Sequence, residues 1–286
     1  MKIKIALGTA QFGLTYGYGA TNRTSDSEIG KILAIASMGG IDVLDTAQSY
    51  GTALDSLGKF PKIISNFKIV LRIKKFERPI DFDSLFLTNY GFRSDLRRLG
   101  VSKVYCAMIH HARDLVGKDS DRVYEFMNNL KKDGLCEKIG VSVYGPPEEL
   151  NQIVNRYKID VVQLPLSIVD QRFTSDILKD LRDRGVEIHS RSIFLQGLLL
   201  ADPNELPPKF IQISSTIKEL QKRKLKPIAA YLNQVYHNTL VDHCVLGVNT
   251  AKQLTEILAE YSRIGHDIDL TEFAIDDPKV IDPNLW

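Results

Sequence analysis

Strand-like and helix-like stretches alternate eight times along this chain of 286 residues, and no other feature constrains its fold as tightly. Short runs rich in Val, Ile and Leu predict strands at residues 3–9, 41–44, 67–73, 105–109, 138–143, 159–164, 186–190 and 243–247. Segments with helical apolar spacing separate them, at 25–38, 53–59, 81–99, 120–132, 147–157, 174–184 and 251–261. An additional pair, one helix reaching Gln221 and one over 227–236, precedes the last strand. Alternation of this kind requires parallel strands joined by crossover helices. Eight units at this length favour a closed barrel over a doubly wound sheet, and no G-x-G-x-x-G follows the first strand. The expected fold is therefore α/β, a (β/α)8 TIM barrel in a single domain over 1–286, with residues 265–286 as a short Pro-bearing C-terminal tail.

Local signals support these bounds. Ser25 with Glu28 reads as a capping box opening the first long helix, and Gly39–Gly40 stop it. Residues 13–19 read as a Gly-rich loop, Pro61 as the end of the weak helix at 53–59, and 192–208 as a longer Pro-containing loop. Trp286, the only tryptophan, could pin the tail down.

With 37 basic and 35 acidic residues and a net charge of +2, no basic tract marks a nucleic-acid partner. No apolar run approaches membrane-spanning length, and the N-terminus lacks the pattern of a secretory signal. Cys106, Cys136 and Cys244 are odd in number and scattered, as expected of reduced thiols in a cytoplasmic protein.

A barrel of this kind places its site where strands end and βα-loops begin. The polar residues at those ends are Asp45 and Tyr50, Arg72 with Lys74–Lys75, His110–His111, Ser142, Gln163 and Arg191–Ser192. Asp45 and Tyr50 lie in G-I-D-V-L-D-T-A-Q-S-Y-G, residues 40–51, with Asp45 at the end of the strand and Tyr50 just beyond it. Taken singly, Asp45 could cap a helix, Tyr50 could pack a loop, and the lysines could be solvated charges. His110–His111 could be metal ligands, but no third His or Cys stands at helpful spacing, so no metal is expected. Taken together, a carboxylate, a cation, a phenol and an imidazole suit carbonyl reduction. The cation lowers the pKa of the phenol, the carboxylate holds the cation, and the imidazole bonds the substrate oxygen. The hydride must come from a cofactor, since no side chain donates one.

Five stretches resemble the aldo-keto reductase superfamily: L-G-T-A-Q-F-G (7–13), the 40–51 segment, L-G-V-S-K-V-Y-C-A-M-I-H (99–110), G-L-C-E-K-I-G-V-S (134–142) and S-I-F-L-Q-G-L-L (192–199). They occur in order and span nearly the whole chain. The resemblance implies an NAD(P)H-dependent reductase of an aldehyde or ketone, and loops with few aromatics suit a sugar or another polar metabolite as its substrate. Tyr50 would be the general acid, Asp45 the carboxylate beneath it, and His110 the residue orienting the carbonyl. Arg72 or, two residues on, Lys74 would take the place of the family's lysine. For the cofactor, NADPH with NADH as an open alternative, Ser142 and Gln163 match the nicotinamide amide site. Gly8, Thr9 and Ala10 match the loop beside that ring. Arg191 stands where the family often stacks an aromatic, and Ser192 faces the diphosphate. Gly247, Val248, Asn249 and Gln253 match the adenosine segment, where the family's Lys–Ser–Arg grip on a 2′-phosphate is missing and Lys252 is the cation nearby. Phe12, Tyr16, Tyr18 and Phe194 are the further aromatics near the mouth. The replacement of lysine by arginine motivates a second reading, a nucleotide-binding regulator with weak or lost catalysis. Asp45 with the His pair motivates a third, a metal-assisted hydrolase.

Overall fold

In the computed structural model, which describes residues 4–286, eight parallel strands close a barrel in the order β1 to β8. They are β1 (Ile5–Gly8), β2 (Val43–Ala47), β3 (Lys68–Ile73), β4 (Val104–Ile109), β5 (Cys136–Ser142), β6 (Val161–Pro165), β7 (Glu187–Arg191) and β8 (His243–Gly247). Closure is made by β1 against β8, with Ile5 opposite Cys244 and Gly8 opposite Gly247. Because helices cover the outside and side chains fill the inside, both faces of each strand are buried, which is why the strand sequences run apolar. Inward residues Ala6, Val43, Val70, Cys106, Met108, Val161 and Val245 form a small lumenal cluster. Outward residues such as Leu7, Leu44, Leu71 and Ala107 join the larger core between barrel and helices. The three cysteines are free and buried, as expected. Among the described residues no helix is long and apolar enough to cross a membrane.

The helix ends show how local chemistry sets the elements. Asp81 and Ser84 exchange side-chain and backbone hydrogen bonds to open helix Phe82–Leu99, and Gly100 ends it at φ 71°. Ser25 does accept from the Glu28 N–H at 3.3 Å, but the expected box does not close. Glu28 Oε1 instead accepts from the Ala251 N–H at 2.7 Å, tying helix Asp26–Met38 to helix Ala251–Tyr261 across the β1–β8 seam.

Several expected bounds shift. Ile3 lies outside the described residues, and β1 begins at Ile5. The strand carrying Asp45 runs on to Ala47, so the carboxylate lies within β2, pointing into the lumen, rather than at its end. Pro61 opens a short helix, Pro61–Ile64, because its missing N–H costs nothing in a first turn. The expected loop at 13–19 is entered by one helical turn, Ala10–Gly13. A Cβ on Gly13 would stand 1.7 Å from the Tyr50 carbonyl oxygen and 2.4 Å from the Ala53 nitrogen. That glycine therefore allows the β1 and β2 loops to touch, which settles where Tyr50 sits.

The segment after β7 is not plain loop. Over Leu195–Leu200 it folds as two tight turns that meet at a kink at Gln196 and Gly197, with Ser192, Leu195 and Gln196 at positive φ. Three non-glycine residues in that region cost energy, and such strain concentrates at functional mouths. The Gln196 carbonyl accepts from the Tyr18 N–H at 2.7 Å, joining this turn to the β1 loop. Residues 265–286 pack rather than trail. Ile275 donates to the Val169 carbonyl, and Trp286 sits edge-on to Phe210, donating to the Val280 carbonyl at 3.2 Å. Trp286 does pin the tail.

Candidate active site

The carboxyl ends of the strands surround a cavity of about 460 Å³. Asp45 from β2, Arg72 from β3, His110 just past β4, Gln163 from β6 and Arg191 from β7 reach it, with Tyr50 on the loop after β2.

Arg72 is the centre of this constellation. Its Nη2 donates to Asp45 Oδ1 at 2.5 Å and to the Tyr50 hydroxyl, and its Nη1 faces His110 Nε2 at 3.2 Å. The guanidinium carbon also lies 4.9 Å from the centre of the Tyr50 ring. Asp45 Oδ2 accepts from Gln163 Nε2 at 2.8 Å, so both oxygens of this fully buried carboxylate are bonded. A planar fork serves three partners at once, which a single ammonium could not do in the same geometry. Lys74, expected as the alternative cation, is exposed beyond the end of β3 and does not line the cavity. Its backbone N–H donates to Gln48 Oε1. Of the two candidates, Arg72 is the one that reaches Tyr50.

The electrostatics separate the titratable groups. Burial drives the Tyr50 phenol above its ordinary range, and the pull of Arg72 does not outweigh it. The expected lowering by the cation is thus reversed, and Tyr50 holds its proton at neutral pH, as an acid should. Burial is likewise the largest influence on Arg72 and lowers it, but the Asp45 charge and the surrounding phenols more than compensate, leaving it above its usual value. Burial, then the Arg72 charge, lowers the His110 pKa to about 2.

A guanidinium can only donate, so His110 Nε2 accepts from Arg72 and the ring proton belongs on Nδ1, facing Ser49 Oγ at 3.3 Å. In this arrangement Nε2 holds the cation rather than offering a proton to a substrate oxygen, contrary to the expectation of a carbonyl-orienting imidazole. An unfolded histidine titrates near about pH 6.5. Below that pH the unfolded chain takes up a proton that His110 in the native chain refuses, so this residue makes stability fall on acidification. We expect the His110 ring nitrogen shifts to stay constant from about pH 5 to pH 8 in the Nδ1–H form. Titration of that ring near pH 6.5 would refute the network.

The same cation bears on the metal reading. Arg72 fills the space between Asp45 and His110 where a metal would have to sit. Among the described residues, the three-ligand cluster with metal-like spacing is Glu187, His189 and His243, at the opposite end of the barrel. There Glu187 already accepts from Lys138 at 2.5 Å, Tyr105 at 2.6 Å and His189 at 2.7 Å, forming an internal ion cluster.

Of the residues expected on the cofactor side, Gly8, Thr9, Ala10, Gln163, Arg191, Ser192, Gly247, Val248, Asn249 and Gln253 all line the cavity. Ser142 does not line it; it is fully buried, in register with Gln163 on the neighbouring strand. The model for the Aldo/keto reductase family matches residues 4–264. The chain belongs to the aldo/keto reductase family. Membership makes it an oxidoreductase and implies NAD(P)H-dependent reduction of a small carbonyl compound. No curated protein sequence matches it. Solved structures do. An aldo-keto reductase from Bacillus halodurans in its holo form is 17% identical with a TM-score of 0.76, over 96% of this chain and 93% of that one. A Pseudomonas aeruginosa protein assigned to the aldo-keto reductases is 19% identical with a TM-score of 0.67, over 91% of this chain and 90% of that one. At these identities the likeness is one of fold.

The dinucleotide that the family implies can be tested against the residues of this reductase. Buried polar atoms without a protein partner include Ser142 Oγ, Gln163 Oε1 and Arg191 Nε on one side, and Gln11 Oε1 and Asn249 Oδ1 on the other. Such atoms are costly unless a ligand or water completes them. A Cβ on Gly247 would stand 2.3 Å from Gln11 Oε1, so glycine there leaves room for the Gln11 side chain in the cavity wall. The lining fits an amide-bearing, polar ligand running from Arg72 to the start of helix Ala251–Tyr261.

Tyr144 is a site residue that sequence reasoning missed. It follows β5 by two residues and lies flat under Arg191, whose guanidinium carbon is 3.5 Å from the ring centre. Arg191 also donates to the Val143 carbonyl and Ser192 Oγ, each at 2.9 Å. The planar group at the end of β7 is therefore the Arg191 guanidinium, and the β5 loop supplies the aromatic ring beneath it. Although burial raises the Tyr144 phenol most, Arg191 and Arg72 bring it below its ordinary value, opposite to Tyr50. The signal was available, a tyrosine at a strand end in S-V-Y-G. Tyr16, Tyr18 and Phe194 line the mouth as expected, whereas Phe12 is wholly buried in the core.

Proposed function

We propose that this reductase transfers hydride from a nicotinamide dinucleotide to a small polar aldehyde or ketone, with Tyr50 protonating the carbonyl oxygen. The observation that supports it most is the single guanidinium joining Asp45, Tyr50 and His110. When bound, the cofactor supplies the hydride. The substrate carbon gains that electron pair while its oxygen takes the Tyr50 proton, and solvent later returns a proton to the phenolate. Arg72 neutralises the phenolate charge as it develops, Asp45 holds Arg72 from below, and His110 holds its other nitrogen. Ser142 and Gln163 offer their unpartnered oxygens to the nicotinamide amide, and Arg191 with Tyr144 forms the planar wall beside it. Gly8, Thr9, Ala10, Ser192, Gly247, Val248, Asn249 and Gln253 would hold the remainder.

At the adenosine end, NADPH is less well served than NADH. Glu256 lines the cavity, while Lys252 is almost fully exposed and its ammonium lies 3.8 Å from that same carboxylate. A carboxylate repels a 2′-phosphate and can accept from a 2′-hydroxyl. We expect fluorescence titration to give NADH an affinity equal to or above that of NADPH. Glu256→Gln should improve NADPH binding by roughly two- to fivefold, the scale of an exposed charge contact. The wider reading is tested by the same titrations followed by a screen of small aldehydes for cofactor oxidation. Failure to bind either dinucleotide would sink it. Binding without turnover would favour the second reading, a nucleotide-binding regulator, which rests on arginine having no proton to give.

A further inference from the structure

Helix Phe82–Leu99 buries one face and leaves the other strongly apolar. Phe92, Leu96 and Leu99 face the barrel, yet Phe82, Phe86, Leu87 and Tyr90 are 80%, 60%, 65% and 63% exposed. Phe82 and Phe86 stack with ring centres 6.4 Å apart. At 3.6 residues per turn, positions 82, 83, 86, 90, 93 and 97 share one outward stripe. Its first half is aromatic and carries Asp83, and its second half carries Arg97 and the half-exposed Arg93, whose Nε and Nη2 bond Asn89 and Asp133 of the same chain, each at 2.7 Å. Isolated exposed apolar residues are ordinary, but a contiguous aromatic stripe marks an interaction surface.

We propose that this stripe is the self-association face of the chain, pairing with a second copy through antiparallel contact of the two helices about a two-fold axis. The charge order selects that occupant. A two-fold near Thr88 sets Phe86 against Tyr90 of the second copy and Asp83 against Arg93, and each contact occurs twice, as a self-complementary interface requires. Parallel pairing would oppose like charges. The three aromatic side chains of the stripe, with Leu87 flanking them, offer roughly 500 Å² per copy, counting 150–250 Å² for a whole aromatic residue. About 1,000 Å² in total lies at the small end of specific interfaces. The dimer is thus weak, forming in the micromolar range, and it leaves the barrel mouth of each copy open.

Sedimentation equilibrium of the full chain from about 1 to 300 μM should show a concentration-dependent monomer–dimer equilibrium. Phe86→Asp should weaken it by at least ~30-fold, the loss expected of a central aromatic anchor. Asp83→Arg should also weaken it, since it sets like charges against each other at both copies of that contact. Circular dichroism keeps the comparison to folded protein. A monomer at every concentration overturns the proposal, as does a dimer that Phe86→Asp or Asp83→Arg leaves unchanged.

Discussion

Replacing Tyr50 by phenylalanine should abolish nearly all turnover while leaving dinucleotide affinity within about twofold of the parent. A positioned acid contributes typically 10²–10⁴-fold, and kcat should fall by that order. The two readouts separate because the hydroxyl is the only group removed, and it bonds Arg72 rather than any residue on the cofactor side. Phenylalanine keeps the ring over the guanidinium, so the packing between the β1 and β2 loops persists. Stopped-flow hydride transfer with a reactive aldehyde, alongside fluorescence titration of the dinucleotide, measures both. Full activity in Tyr50→Phe would remove Tyr50 as the acid and turn attention to Tyr144, the other phenol beside Arg72. Because burial holds the Tyr50 proton firmly, no limb of the parent's pH profile below about pH 9 should belong to its ionisation.

Arg72→Met should be the most damaging single change, lowering activity and stability together. It leaves the Asp45 carboxylate buried with Gln163 as its remaining side-chain donor and removes the bonds to Tyr50 and His110. Breaking one side of a buried ion pair costs about 3–5 kcal/mol, which thermal or denaturant unfolding would detect. Arg72→Lys keeps the charge but not the fork, so it should hold Asp45, lose the contact with His110, and retain partial activity. An Asp45→Asn partner variant would recover part of the stability lost in Arg72→Met, since no unpaired charge then remains. Lys74→Met serves as the comparison and should behave as the parent, since Lys74 is exposed and outside the cavity. A loss concentrated in Lys74→Met would overturn the assignment of the cation.

These two variants mark the border between what was readable along the chain and what was not. Asp45 and Tyr50 could be named because they stand at the end of an apolar run and on its following turn. The choice between Arg72 and Lys74 could not, because both positions share one parity and point to the same side of the strand. At roughly 3.3 Å per residue, two residues of rise carry Lys74 about 7 Å farther along, past the last pairing of β3 and out into solvent. His110 was named for its position, but its role depends on what faces Nε2, and an arginine there reverses the direction of the hydrogen bond. Tyr144 was passed over because its importance lies in Arg191, 47 positions away in the chain and one ring contact away in space.

The alternation of strand and helix, the helix starts at Asp81 and Ala251, and the list of polar residues at strand ends belong to the sequence alone. They depend on backbone periodicity and capping, which act over a few residues. The tertiary structure alone decided which cation meets the phenol, which nitrogen of His110 carries the proton, that Glu28 caps a helix 223 residues distant, and that Trp286 anchors the tail. Those outcomes depend on where eight strands stop once the barrel has closed, and strand stagger is a property of the whole ring rather than of any segment in it.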